Sequence, residues 1–334
     1  MFRIAVLGTG KIVRTRFLPA IRELPDVAVA VVGSRNAGAV DLAGLSLPND
    51  IPVLSYEDTL GSGEADAVYI GLPNDQHPTW VVQAARAGLH VLCEKPLTGS
   101  PHDALMCQQV CRENGVLLAE AFMYKHDPRQ AHVREIVSTG RIGRVHLIEV
   151  SFAYFLEDLS NIRLSKDRQG GALMDVGCYG IDLARFLTLE EPCNVTARCV
   201  RGARSRVDEL VSVTLQFPSG CMAVITASTH LARRNGYCIR GTQGTIAVEN
   251  AFIPKPDQQT SIAIETSDGQ QQVERFQPCD TFVRQIERFV AAAANRDAHL
   301  WAPGEDGVAN AHVLGAALQS MGSGLEHDLF GDAS

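Results

Sequence analysis

The sequence predicts an α/β protein in two parts: an N-terminal parallel sheet flanked by helices, then an α+β part built on a large, mainly antiparallel open sheet. Three observations predict it. Over roughly the first 120 residues, short Val-rich apolar runs alternate with amphipathic stretches. Beyond them the pattern changes to strict apolar/polar alternation, the mark of strands with one buried face. The length of 334 residues also exceeds what a single core ordinarily holds.

Taken in order, residues 4–7, 27–32, 67–71 and 89–93 read as buried strands, each short and bounded by Gly, Pro or Asn. Helices are expected between them, over about 15–24, over 78–87 with Gly88 as a stop, and from Ser100 as N-cap with Pro101 at the first helical position to Gly115. After about Phe122, Asp127-Pro128 opens a helix ending near Gly140, and a strand over 146–154 sets Ile148, Val150, Phe152 and Tyr154 on one face. Val211, Val213, Leu215 and Phe217 alternate with polar residues, and Pro218-Ser219-Gly220 turns the chain into a strand over 222–227. Phe282, Ile286, Phe289 and Val290 mark an amphipathic helix, and residues 308–321 an Ala-rich one. The division expected is a first domain of residues 1–122, a second of 123–305, a helix over 306–322 packing back on the first, and a tail over 323–334.

Thirty basic residues against thirty-eight acidic ones give a net charge of -8, a field that opposes nucleic acids and anionic membranes. No apolar run approaches the roughly 18 residues a membrane helix needs. Nine cysteines with no C-x-x-C pair, the nearest being Cys107 and Cys111, point to reduced thiols and a cytoplasmic address. Met1-Phe2-Arg3 runs straight into the first strand without the apolar stretch of a signal peptide. The ten histidines show no H-E-x-x-H, and His126 and His132 are not spaced as a ligand pair, so no metal is expected.

Gly8-Thr9-Gly10, with Lys11 and Ile12 behind it, joins the first strand to a helix. Glycines there permit a tight turn and let backbone N–H groups approach a pyrophosphate at the helix start. Val13 stands where the third glycine of the dinucleotide fingerprint belongs, so an ordinary strand-to-helix turn is the competing reading. The second strand ends in Ser34-Arg35, where an enzyme using NAD usually carries a carboxylate for the ribose 2′-hydroxyl; a hydroxyl and a guanidinium suit a 2′-phosphate instead, hence NADP with NAD as the alternative. Leu72-Pro73-Asn74 with His77, and Glu94-Lys95-Pro96, follow the next two strands, at the carboxyl ends where open parallel sheets bind ligands. Read alone, Lys95 also admits the lesser reading of a structural lysine reaching for water.

These stretches, Ala67-Val68-Tyr69-Ile70-Gly71-Leu72-Pro73-Asn74-Asp75-Gln76-His77 and Ala87-Gly88-Leu89-His90-Val91-Leu92-Cys93-Glu94-Lys95-Pro96-Leu97, resemble the glucose-fructose oxidoreductase, inositol dehydrogenase and MocA family. So do Glu120-Ala121-Phe122-Met123-Tyr124, Gly170-Gly171-Ala172-Leu173-Met174-Asp175-Val176-Gly177 and Gly241-Thr242-Gln243-Gly244-Thr245. The resemblance implies an N-terminal Rossmann domain, a second domain with a large open sheet, and NAD(P)-dependent oxidation or reduction of sugars or polyols. It also implies a cis Lys95-Pro96 bond and a homodimer formed through the uncovered face of the second sheet. Other classes stay open: a nucleotide-binding sensor that has lost the chemistry, against which Lys95 argues, and a glycosidase that uses NAD transiently.

Tyr179 stands where many members have histidine, which resembles the branch containing NADP-dependent xylose dehydrogenase and dihydrodiol dehydrogenase. Asp175, Tyr179 and Asp182 are spaced to share one helical face, either lining a pocket or lying along a solvated surface. Oxidising a hydroxyl needs a base as the hydride leaves. Tyr179 is the candidate, with Lys95 as the ammonium that favours a phenolate and Asp175 as an orienting group. Asp182, Arg163 and Tyr124 are candidates for holding sugar hydroxyls.

Overall fold

The structure, a computed structural model, describes residues 1–294 and 303–329. The chain divides into two compact units, one of residues 1–123 with 280–294 and 303–308, the other of residues 124–279 with those from Ala309 on.

In the first unit, strands β1 (Phe2–Leu7), β2 (Val27–Gly33), β3 (Val53–Leu54), β4 (Ala67–Ile70), β5 (His90–Cys93) and β6 (Leu118–Glu120) form one sheet in the order β3-β2-β1-β4-β5-β6. Every pairing is parallel. Burial on both faces explains the unbroken apolar runs: all four residues of β4 are buried, as are Ile4 to Leu7 of β1. The first crossover is a π-helical turn over Val13–Phe17 continuing into α1 (Leu18–Arg22); α2 (Tyr56–Gly61), α3 (His77–Arg86) and α4 (Pro101–Glu113) make the others. Ser100 caps α4 as expected, its hydroxyl accepting the Asp103 N–H. The strand order reverses between β1 and β4, the place where such sheets bind ligands.

The second unit opens with α5 (Pro128–Ser138), capped by Asp127. It continues through β7 (Val145–Phe155), α6 (Cys178–Thr188), β8 (Asn194–Arg201), β9 (Asp208–Gln216), β10 (Met222–Ser228), β11 (His230–Gly241), β12 (Gly244–Glu249), β13 (Thr260–Thr266) and β14 (Gln271–Phe276). These strands build a nine-stranded sheet in the order β14-β13-β12-β11-β7-β10-β9-β8 with a ninth strand, described below, at the β8 edge. All pairs are antiparallel except β7 with β10. One face carries Val150, Val213, Ile225 and Ile239, all buried, beneath α6 and the π-helical turn Leu173–Gly177 that precedes it. Gly180 permits the close approach, since a Cβ there would lie 2.6 Å from Ile225 Cγ2. The other face presents Leu147, Glu149 and Ser151 of β7, Thr214 of β9 and Val224 and Thr226 of β10, all partly exposed.

The chain then returns to the first unit. Helix α7 (Thr281–Ala293) packs on α1, with the Arg16 guanidinium 4.9 Å from the Phe282 ring centroid. Residues 280–305 therefore do not all belong with the second sheet, as the sequence division at 305 had them. Helix α8 (Gly304–Ser323) also differs from the expected docking element: its first turn, where a Cβ on Gly307 would touch Leu97 and Glu120, clusters with the first unit, and from Ala309 on it clusters with the second. There Ser320 Oγ accepts the Ala197 N–H at 2.9 Å. Nor is the whole of 323–334 a tail, because β15 (His327–Asp328) pairs with β8; residues 330–334 lie outside the described residues. No described helix is long and apolar enough to cross a membrane.

Candidate active site

In the first unit the expected residues gather at the carboxyl ends of β1, β2, β4 and β5. Gly8 has φ +93°, and a Cβ there would fall 2.8 Å from the Gly71 carbonyl oxygen and 2.9 Å from Leu72 Cδ2, so no side chain fits. Around Gly10, by contrast, a Cβ would meet only the Gly71 carbonyl, at 3.9 Å. Helical bonding begins at once, Arg14 N–H donating to the Gly10 carbonyl at 3.1 Å, while Arg14 Nε braces the Thr9 carbonyl at 2.7 Å. The N–H groups ahead of that first bond have no partner inside the helix. Lys11 is exposed and Ile12 half-buried. The missing third glycine has a physical replacement: Val13 is fully buried against Gly71, whose own Cβ would come 2.7 Å from Val13 Cγ2. The close approach is made by the glycine on the facing strand end.

At the end of β2, Ser34 is partly exposed and Arg35 exposed, and the Ser34 hydroxyl accepts the Asn36 N–H at 3.3 Å. After β5 the Lys95-Pro96 bond is cis. Three contacts hold that segment: Glu94 N–H donates to the Ile70 carbonyl at 3.0 Å, Leu97 N–H to Glu120 Oε1 at 2.7 Å, and the Pro96 carbonyl faces His77 Nδ1 at 2.9 Å. Tyr69 O–H donates to Glu94 Oε1 at 2.6 Å, its ring stacked on Phe17. His77 is fully buried, with Nε2 2.9 Å from the Leu72 carbonyl. Desolvation holds its imidazole below the usual histidine range. Its two ring nitrogens therefore strap the β4 loop of Leu72, Pro73 and Asn74 to the Lys95 loop.

In the second unit, Tyr179 is 2% exposed, its ring centroid 5.9 Å from Tyr124, 5.3 Å from Phe152 and 5.4 Å from Phe252. Asp175, one turn earlier, accepts from Tyr154 O–H at 2.5 Å and Arg163 Nε at 2.8 Å. Burial, and then the Asp175 charge, push the Tyr154 phenol well above its ordinary value, so it stays a donor. The helix that carries these groups is wrapped on all sides, not solvated on one. Asp182 is fully buried and separate from Asp175: it pairs with Lys125 Nζ at 2.8 Å, accepts from Tyr124 O–H, and lies 4.0 Å from Arg185 Nη1. Tyr124 too is fully buried. The structure places these two against each other and against Lys125 beneath the Tyr179 ring. Asp208, also unforeseen, caps the π-helical turn by accepting the Leu173 N–H at 2.7 Å; burial raises its carboxyl to about 6. Of the residues missed, Tyr154 had a signal, as the last member of the buried β7 face; Lys125 and Asp208 had none, because their partners lie far along the chain.

Residues 2–122 match the oxidoreductase family with an NAD-binding Rossmann fold, and residues 131–247 match the GFO/IDH/MocA C-terminal domain. The chain is also 35% identical to D-xylose 1-dehydrogenase (NADP(+)) 2 of Haloferax volcanii, over 86% of this chain and 87% of that one. The chain belongs to the GFO/IDH/MocA oxidoreductase family. Another relative in this family, a dTDP-3,4-didehydro-2,6-dideoxy-alpha-D-glucose 3-reductase of Actinomadura kijaniata, is 32% identical over 87% of both chains. The crystal structure of a 3-ketoreductase from Actinomadura kijaniata with NADP and TDP-benzene superposes with a TM-score of 0.89 at 30% identity, covering 96% of this chain and 97% of that one. The first unit fits the dinucleotide of a GFO/IDH/MocA enzyme: Gly8 makes the turn, Gly10 leaves room in front of the helix start, and the Val13–Gly71 contact restores the packing of the missing glycine.

Proposed function

We propose that the protein is an NADP-dependent oxidoreductase that transfers a hydride between nicotinamide and a sugar, an aldose or a related cyclic polyol. The observation that carries the reading is the strand end Ser34-Arg35, without a carboxylate, in a chain whose relatives include an NADP-dependent D-xylose dehydrogenase. Gly8, Thr9, Gly10, Lys11 and Ile12 hold the pyrophosphate, Ser34 and Arg35 the 2′-phosphate, and the loops of Leu72-Pro73-Asn74 and Glu94-Lys95 the nicotinamide half. NADP supplies the hydride acceptor, or donor, when bound. Tyr179 takes the hydroxyl proton during oxidation and returns it during reduction, and Lys95 supplies the positive charge that assists it. Asp175, held by Tyr154 and Arg163, orients the substrate, and Arg163, whose side chain is 41% exposed, meets its hydroxyls. Structures of the 3-ketoreductase were also determined with a single tyrosine or a single lysine replaced, which directs attention in that enzyme to the same two residue types.

A second reading, reduction of a nucleotide-linked keto sugar, is favoured by the Actinomadura relative. A panel of aldoses and polyols with NADP+ and NAD+, followed by the absorbance of reduced nicotinamide, tests the first. Turnover only of a dTDP-linked keto sugar with NADPH supports the second. The partly exposed face of the second sheet is proposed to pair with a second copy, giving a homodimer. The nine cysteines, without a C-x-x-C pair, support the proposal of a reducing, cytoplasmic setting.

A further inference from the structure

The aromatic box around Tyr179 rests on a buried arginine that the chemistry above does not use. Arg129 is fully buried. Asp127 grips its guanidinium, with Nε 3.2 and 3.1 Å from the two carboxylate oxygens and Nη2 2.7 Å from Oδ2. The outer N–H groups reach two main-chain carbonyls, Nη1 to Glu249 at 2.8 Å and Nη2 to Asn250 at 2.9 Å. Burying an ion costs several kcal/mol even when it is paired. Asp127 Oδ1 also caps α5 by accepting the Arg129 N–H at 2.9 Å, a bond that an uncharged cap could make, so the guanidinium is explained by what else it holds.

What the charge holds is the turn after β12. Asn250 has φ +48°, the left-handed conformation that asparagine adopts more readily than most side chains. Gln130 Nε2 donates to the Ala251 carbonyl at 3.1 Å and is itself fixed by Tyr237 O–H on Oε1 at 2.7 Å; Asn235 Oδ1 accepts the Phe252 N–H at 3.0 Å. All of these contacts converge on residues 249–252, and the side chain they aim is Phe252. Its ring is fully buried, lies parallel to Phe152 at 5.1 Å, and meets Tyr124 at 5.3 Å and Tyr179 at 5.4 Å.

We propose that Asp127 and Arg129 are positioning residues for Tyr179, acting through Phe252: the ion pair fixes the turn, the turn fixes the phenylalanine ring, and the ring fixes the phenol. The functional weight of this clamp rests on the reading of Tyr179 as the proton-transfer residue. A lysine at 129 keeps the charge but cannot fork to a carboxylate and two carbonyls together.

The full chain labelled with 3-fluorotyrosine carries six fluorine resonances, one for each tyrosine, and the line lost in Tyr179→Phe belongs to Tyr179. In Arg129→Lys and in Asp127→Asn that line is expected to shift or broaden, while the lines of Tyr56 and Tyr69 in the other unit hold their place and report a folded chain. A Tyr179 line unchanged in both variants overturns the proposal. Kinetics with D-xylose and NADP+ give a second reading: Arg129→Lys is expected to lower kcat on the order of ten-fold with KM for NADP+ unchanged, and to lower it no further in the Tyr179→Phe background. Losses that multiply in the double variant overturn action through Tyr179. Phe252→Leu leaves the ion pair intact and runs the same cycle if the charged-pair variants fail to fold. Normal turnover of Tyr179→Phe alone defeats the reading of Tyr179, whereas a displaced fluorine line still supports the clamp.

Discussion

Tyr179 is surrounded by three rings, each tied to a different part of the second unit: Tyr124 through Asp182 and Lys125, Phe152 through β7, and Phe252 through the 249–252 turn. A phenol so enclosed is set for one geometry, which suits a proton transfer that must coincide with hydride movement. Tyr179→Phe and Lys95→Ala are each expected to lower kcat by about 10² or more, the tyrosine variant with NADP(H) affinity intact by fluorescence titration. Arg35→Ala is expected to weaken NADP+ more than NAD+, by on the order of 1–3 kcal/mol; equal losses contradict the 2′-phosphate assignment. Asp208 gives a pH-dependent term. Its carboxyl, raised by burial to about 6, binds a proton more tightly in the folded chain than in the unfolded one. Its contribution to stability is therefore fully present below the ordinary aspartate value of about 4 and is lost as pH rises through about 6. Asp208→Asn keeps an acceptor for the Leu173 N–H and removes the titration. Its stability relative to the parent chain is expected to be greater at about pH 7 than at about pH 4, by on the order of 2 kcal/mol; denaturant unfolding at both pH values checks this.

At the scale of elements, the glycines of the first turn separate folding from binding. Gly8→Ala, at φ +93° and against the Gly71 carbonyl, is expected to destabilise the fold by more than about 1 kcal/mol. Gly10→Ala has open space around its Cβ and is expected to leave the unfolding midpoint nearly unchanged while weakening NADP+ binding. Strands β1, β2, β4, β5, β7, β9 and β10 were legible because burial on one or two faces writes its own period into the residues, as Ile148, Val150, Phe152 and Tyr154 show. By contrast, β8 and the twelve-residue β11, exposed over much of their length, carry that period only in part and were not legible. The two-residue β3 and the single-turn π helices leave no such period. The first crossover winds immediately after Gly10 instead of near Thr15, since turn chemistry at the glycines, not apolar spacing, starts it. For α7, periodicity identifies an apolar face, but not which sheet's layers will cover it. The same limit explains Asp182: spacing places it on the face of Asp175 and Tyr179, yet cannot distinguish a group lining a pocket from one sealed beneath by Lys125.

In the molecule as a whole, a six-stranded parallel sheet carries the dinucleotide fingerprint and a nine-stranded sheet carries Tyr179, Asp175 and their supports. The nine-stranded sheet keeps one partly exposed face with Leu147, Val224 and Thr226, and pairing of that face predicts a species of twice the 36.1 kDa chain mass by light scattering at micromolar concentration; a single-chain mass contradicts the homodimer. The chain is an NAD(P)-dependent oxidoreductase of the GFO/IDH/MocA family. The most direct test incubates the purified chain with NADP+ and a panel of aldoses, D-xylose among them, and follows the absorbance of reduced nicotinamide beside the Tyr179→Phe variant. Reduced NADP is expected with at least one aldose, more slowly with NAD+, together with a loss of about 10² or more in the variant. Absence of nicotinamide reduction across the panel, or equal turnover by the variant, contradicts that expectation.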